Sequence, residues 1–202
     1  MQSRQGWETT FLNSRLPHNP GCPISGAVSP RQMWETTPLH QTRPSKDLMK
    51  IGVISDTHGL LRPEVITALT GVEQILHLGD VGKASILKDL GKIAPVTAVR
   101  GNMDREGPCG ELPQTEVALV AGRYVYMLHD LKTLHLDPAA GKFAAVLFGH
   151  THVPNFYRRH GVLYFNPGSC GPRRFDLPVT LGLLTVGEDG GFEAEIIPLT
   201  SA

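Results

Sequence analysis

Seven side chains able to hold a metal ion stand just past the ends of five short apolar runs. Asp56 and His58 follow the run from Ile51 to Ser55, and Asp80 follows Gln74 to Gly79. Asn102 follows Val96 to Gly101, His129 follows Tyr124 to Leu128, and His150 and His152 follow Ala144 to Gly149. Seven donors in one crevice exceed what a single ion with an open position takes. They suit two ions sharing a carboxylate, which is equipment for hydrolysing phosphate esters.

Each signal has a plainer reading when taken alone. An Asp after a strand is often a helix cap or turn residue, and Asp80 could cap a helix starting near Lys83. A Gly-Asn pair such as Gly101 and Asn102 is commonly a turn. Alternate residues of an extended segment face opposite ways, so His150 and His152 need a bend, or must straddle two ions. Asp104 could accept from a ligating imidazole as an outer partner. His77, His135 and His160 read as structural, His77 because it precedes Asp80 on a strand and the others because they sit in loops. The conjunction favours chemistry: two Asp, one Asn and four His at five strand ends are not five independent turn choices.

Runs of this length, rich in Val and Ile, predict strands. Between them, Pro63 to Thr70 has Val65, Ile66 and Leu69 on one helical face, with Pro63 in the first turn and Gly71 at the stop. Lys83 to Leu90 repeats the pattern and is followed by Gly91. The order β-α-β-α-β implies a parallel start to a sheet, and ligands at the strand ends of such a sheet converge on one crevice. From Glu116 the texture becomes strands and turns, with one short helix expected around Leu136 to Lys142. This is an α/β fold with two sheets and outer helices.

Composition narrows the function classes. The 202 residues carry 19 Lys and Arg against 19 Asp and Glu, so no global field attracts nucleic acid or an anionic membrane. Beyond residue 48 the balance is 14 against 16. No stretch approaches the roughly 18 apolar residues of a membrane span, and no secretory signal is visible at the start. Three scattered cysteines without a CxxC pair fit a reducing cytoplasm, the expected location. Residues 1–48 differ from the rest: they hold six of the sixteen prolines and no apolar periodicity. The segment from Arg4 to Thr10 recurs almost unchanged from Arg31 to Thr37. These residues are expected to be a disordered tail, or an extension preceding a true start at Met49, with 49–202 as the functional domain.

In order, Asp56/His58, Asp80, Asn102/Asp104, His129 and His150/His152 resemble the blocks of the calcineurin-like metallophosphoesterase superfamily. Within it, they resemble the small single-domain bacterial and archaeal phosphodiesterases, a group that includes the retromer's phosphoesterase-like subunit. The family's Asn-Pro-Gly-Ser loop is matched from Asn166 to Ser169. The resemblance implies a four-layer αββα sandwich, two mixed sheets flanked by helices, with two ions at one edge. It implies Asp56, His58, Asp80 and His152 on the first ion, and Asp80, Asn102, His129 and His150 on the second. Mixed nitrogen and oxygen donors suit divalent transition metals, Mn first, with Fe, Zn, Ni or Co compatible. Two departures stand out. Met103 occupies the position where larger relatives carry a His acting as general acid, and a thioether cannot donate a proton. Asp130 replaces the Gly that usually follows the fourth-strand His.

The expected activity is hydrolysis of a small phosphoester, most simply a phosphodiester, by a hydroxide bridging the two ions. Asn102 and His129 would hold a phosphoryl oxygen, and Arg173 or Arg174 would pair with substrate phosphate. Alternatives are a phosphomonoesterase and a catalytically silent protein-interaction scaffold on the same fold. A homo-oligomer is compatible with the sequence.

Overall fold

The computed structural model describes residues 48–187 and 190–199. The expectations for residues 1–48 therefore lie outside the described residues, apart from Leu48, which is exposed. In chain order the elements are β1 (Lys50–Ile54), α1 (Pro63–Ala68), β2 (Gln74–His77), α2 (Ala84–Leu90), β3 (Val96–Ala98), α3 (Gly107–Gly110), β4 (Thr115–Val120), β5 (Arg123–Leu128), β6 (Ala145–Leu147), β7 (Asn155–Arg159), β8 (Val162–Asn166), β9 (Thr180–Val186) and β10 (Phe192–Pro198).

The strands form two five-stranded mixed sheets, ordered β10-β9-β1-β2-β3 and β4-β5-β6-β8-β7. In the first sheet β1, β2 and β3 run parallel, while β9 joins β1 antiparallel. In the second, β5, β6 and β8 run parallel and β4 and β7 close the edges antiparallel. Parallel neighbours end on the same side, so the loops after β1, β2 and β3, and those after β5 and β6, each gather at one rim.

Alternation along the strands explains the layering. Ile51 and Val53 of β1 face Val125, Met127, Leu147 and Phe165 between the sheets. Ile54 faces outward onto Val65, Leu69, Ile86 and Leu90 of the helical layer. Gly52 shares that outward side, where an added Cβ would strike the Leu69 side chain, so glycine lets α1 seat on the sheet. The helices are too short to persist alone. Burial of Val65, Leu69 and Leu90, each at about 1.5–3 kcal/mol, holds them in place.

Three details depart from expectation. The segment from Leu136 to Lys142 is a set of turns rather than a helix: Asp137 accepts from the N–H groups of Ala139 and Ala140. One Gly141-to-Asp137 backbone bond forms, and Lys142 at φ 56° then breaks the run. The outer cover of the second sheet is correspondingly thin, a 3-10 turn at Leu131–Thr133 whose Leu131, with Leu134, packs on Leu128, Val146 and Phe148. The short helix α3 had no periodic signal in its Gly-Pro-Cys-Gly sequence. No helix among the described residues is long and apolar enough to cross a membrane. Cys109 and Cys170 are buried free thiols, and burial pushes Cys170 up to about 12.

Candidate metal centre

All seven expected donors sit on loops leaving the ends of β1, β2, β3, β5 and β6, and the structure brings them into one continuous cluster. His152 Nε2 lies 3.2 Å from Asp56 Oδ1 and 3.4 Å from His58 Nε2. His58 Nε2 is 3.7 Å from both Asp56 Oδ1 and Asp80 Oδ2. His129 Nε2 is 3.5 Å from Asp80 Oδ2 and 3.2 Å from Asn102 Oδ1, and His150 Nδ1 is 3.0 Å from that same Asn102 oxygen. Two close triads result, Asp56-His58-His152 and Asp56-Asp80-His129.

The backbone is bent to achieve this. Asp56, His58, Asp80, His150 and His152 all have positive φ, at 56°, 44°, 52°, 71° and 60°. That region costs a non-glycine residue on the order of 1–3 kcal/mol, and such strain gathers at functional sites. It also answers the alternation problem, because a chain turning at both His150 and His152 sends one ring to Asn102 and the other to Asp56 and His58 in the same cluster.

The two carboxylates are each half satisfied. Asp56 Oδ2 accepts from Ser55 Oγ at 2.6 Å and from the His150 N–H at 3.1 Å. Its other oxygen, Oδ1, is buried without any hydrogen bond and faces three imidazoles, His129 being 4.0 Å away. Asp80 Oδ1 accepts from the Met103 N–H at 2.7 Å, which leaves Oδ2 between His58 and His129. Of the two Asp80 oxygens, Oδ2 is therefore the one that faces the imidazoles. Asp80 is also not a cap, since Lys83 occupies that position ahead of α2.

His129 is oriented from the backbone. Its Nδ1 donates to the Leu78 carbonyl at 2.7 Å, so the neutral ring turns the lone pair of Nε2 toward the oxygens of Asp80 and Asn102. Acceptors facing acceptors need a cation between them. Burial pushes the His129 pKa down, but hydrogen bonding to Asp80 and the charge of Asp56 outweigh it, and the net direction is up. Burial likewise works against ionised Asp56, yet His152, His58 and His129 hold it well below the usual carboxylate range. Asp80 is lowered too, with burial opposed by His129 and the Met103 N–H.

Neighbouring loops brace the donors. At Gly149 a Cβ would run into Ser55 Oγ and sit 2.9 Å from Asp56 Oδ2; at Gly101 it would strike Asp80. Glycine lets these loops close on the carboxylates. Asp104 accepts from the N–H groups of Val81, Gly82 and Gly101 at 3.0, 2.8 and 3.0 Å. It ties two donor loops together through backbone, instead of orienting a histidine as expected. Asn166 Nδ2 donates to the Gly149 carbonyl and to Thr151 Oγ1, both at 3.0 Å, and Ser169 Oγ donates to the Asp56 carbonyl. The Asn166-to-Ser169 loop thus pins two donor loops at once.

Other expected residues divide. Arg174 reaches the cluster, its Nη2 3.3 Å from His58 Nε2, while Arg173 is exposed. Asp130 Oδ2 lies 3.9 Å from His150 Nε2. Met103 is 57% exposed beside Asn102. His77 is buried and structural: Thr57 Oγ1 donates to the Val81 carbonyl and accepts from His77 Nε2, while His77 Nδ1 accepts from the Gly79 N–H. A cavity of about 660 Å³ opens beside Asn102, His129 and His150 and is lined also by Arg100, Gln114, Tyr126 and His135. None of these four had a motif to announce it, and His135 had been read as an ordinary loop residue. A smaller cavity of about 330 Å³, between Arg123 and Val162, contains none of the seven donors.

Nitrogen and oxygen donors around a bare buried carboxylate oxygen fit divalent transition metals. Two mixed sheets carrying such donors on one rim define a class, the metallophosphoesterases. Residues 49–189 match the calcineurin-like phosphoesterase superfamily domain, and the chain belongs to that superfamily. It is 40% identical over 164 residues to a probable metallophosphoesterase of Methanothermobacter thermautotrophicus, covering 74% of this chain and 92% of the relative. It is 30% identical over 157 residues to a phosphodiesterase of Methanocaldococcus jannaschii, covering 67% of this chain and 92% of the relative. Vacuolar protein sorting 29 from Cryptosporidium parvum shares the fold with a TM-score of 0.60 at 18% identity, covering 76% of this chain and 99% of that one.

Proposed function

We propose that this protein is a phosphodiesterase working with two divalent transition-metal ions, Mn foremost. Asp56, His58, Asp80 and His152 would hold one ion, and Asp80, Asn102, His129 and His150 the other. The observation that carries this reading is Asp56 Oδ1, buried without a hydrogen bond, which together with Asp80 Oδ2 faces the imidazoles of both groups. Bound divalent cations lower the pKa of water and polarise phosphoryl oxygens.

The chain's own residues supply the rest. Leu78 fixes the His129 tautomer so that Nε2 faces inward. Asn102 Oδ1, between His129 and His150, marks the exposed edge where a phosphoryl group enters. Arg174 approaches the opposite edge through His58 and is placed to pair with a phosphate oxygen, with exposed Arg173 beside it. Met103 has no proton to give a departing alkoxide, which favours diesters with good leaving groups over monoesters with poor ones.

The test is hydrolysis of bis-p-nitrophenyl phosphate by protein stripped of metal and reloaded with Mn, with metal content measured alongside. Turnover should appear as two equivalents bind, and Asp80→Ala should lose metal and turnover together. No turnover with Mn, Fe, Zn, Ni or Co would favour a silent interaction scaffold. Preference for p-nitrophenyl phosphate over the diester would favour a phosphomonoesterase.

A further inference from the structure

We infer that the cavity beside Asn102 and His150 receives one ester arm of the substrate, and that this arm is nucleoside-like: planar, uncharged and rich in hydrogen-bonding atoms. The inference rests on the phosphodiesterase reading above and names the substrate class for that same site. At about 660 Å³ the cavity has the size of a small-molecule site. Three of the seven donors, Asn102, His129 and His150, form part of its wall. A phosphoryl group held by those donors therefore carries one substituent into this space.

The wall chemistry selects the arm. Away from the candidate donors, Arg100 and Asp130 bring one charge of each sign, so the far end of the arm meets no excess of either. Both are partly used: Arg100 Nη1 donates to the Gly110 carbonyl at 3.1 Å, and Asp130 Oδ1 accepts from the Lys132 N–H at 3.0 Å. The exposed Gln114 amide makes no hydrogen bond to another described residue and offers both a donor and an acceptor. Tyr126 is half-buried, its ring held at 5.3 Å and 58° by Phe143, so it presents a fixed aromatic surface. A heterocycle stacks on such a ring whatever its base identity. An acyl chain would gain contact with Leu136 and Tyr126, but would strip water from Arg100, Gln114 and Asp130 without repaying their hydrogen bonds.

The experiment compares inhibition constants in bis-p-nitrophenyl phosphate hydrolysis by the metal-loaded full chain. The probes are adenosine 5′-monophosphate, methyl phosphate and hexyl phosphate, which share one phosphate and differ only in the arm. Adenosine 5′-monophosphate should bind roughly tenfold more tightly than methyl phosphate, the scale of one stacked base. Hexyl phosphate should show no comparable gain. Tyr126→Leu, which keeps bulk against Phe143, and Gln114→Ala, at an exposed position, should each shrink the adenosine preference several-fold. Equal constants for the adenosine and methyl probes, tighter binding of the hexyl probe, or a preference surviving both substitutions would overturn the inference. A flat series with turnover intact sinks the nucleoside assignment alone; absence of turnover with every metal sinks the phosphodiesterase reading and this one with it.

Discussion

The two halves of the donor cluster are built differently. Around Asp56 and His152 the site is closed: both are buried, Ser55 and Ser169 donate to Asp56, and Asn166 holds the Gly149-to-Thr151 loop that carries His152. Around Asn102 and His150 it is open: both are exposed and border the large cavity. His129, buried on β5's end, and the Met103 N–H link the open side to Asp80. A braced, dry half holds a cation with little rearrangement. A wet half beside a cavity can exchange water for substrate. The contrast suggests that one half secures metal and the other receives phosphate.

The largest expected effect separates these roles. Asp56→Ala should abolish metal retention and cut turnover by more than about 100-fold, the upper end for residues one step removed from a metal. Asn102→Ala should reduce turnover with at least one metal equivalent retained, read by elemental analysis after dialysis. Equal loss of both equivalents in the two variants would break the comparison.

A second prediction probes the floor beneath the closed half. Burial lowers His77 from 6.5 to about 4, so the unfolded chain binds more protons than the folded one between those values. Its contribution is therefore full above about pH 6.5 and is lost as pH falls toward 4, a total of roughly 3 kcal/mol. Urea unfolding at pH 7 and pH 5 should show about 2 kcal/mol of this loss in the wild type. The His77→Gln protein should show a flatter profile across the same window. Identical pH profiles would mean that His77 is not held neutral.

Gly149→Ala sharpens the comparison by crowding Ser55 and Asp56 directly. Overpacking of this kind costs about 1–3 kcal/mol, measurable as a lower urea midpoint at unchanged slope. The smallest effect is expected at the open edge. Met103→His should raise turnover of phenyl esters relative to p-nitrophenyl esters by well under the roughly 100-fold of a positioned acid, because position 103 is exposed and unbraced. An unchanged ratio would show that position 103 does not reach the departing oxygen.

The donors were legible because strand periodicity and short motifs are local. Val53 and Ile54 must bury, so the residues after them must emerge at a rim, and Asp56 and His58 are there. The same logic placed His129 after Leu128 and His150 after the run through Leu147. It failed where the deciding force was not periodic. Asp137's side-chain bonds turned an expected helix into turns, and α3 arose from a stretch with no apolar repeat. Arg100, Gln114 and Tyr126 are common residue types on separate segments, so nothing local marks them as one wall.

By itself the chain's order of residues determined the two-sheet architecture and singled out seven candidate donors, because burial patterns and ligand chemistry act over a few residues. Only the tertiary structure decided which carboxylate oxygens stay bare, which imidazole nitrogen faces inward and which half of the cluster opens to solvent. Those depend on contacts such as Met103 with Asp80, Leu78 with His129 and Asn166 with Gly149, and contacts between distant segments exist only once both sheets have formed.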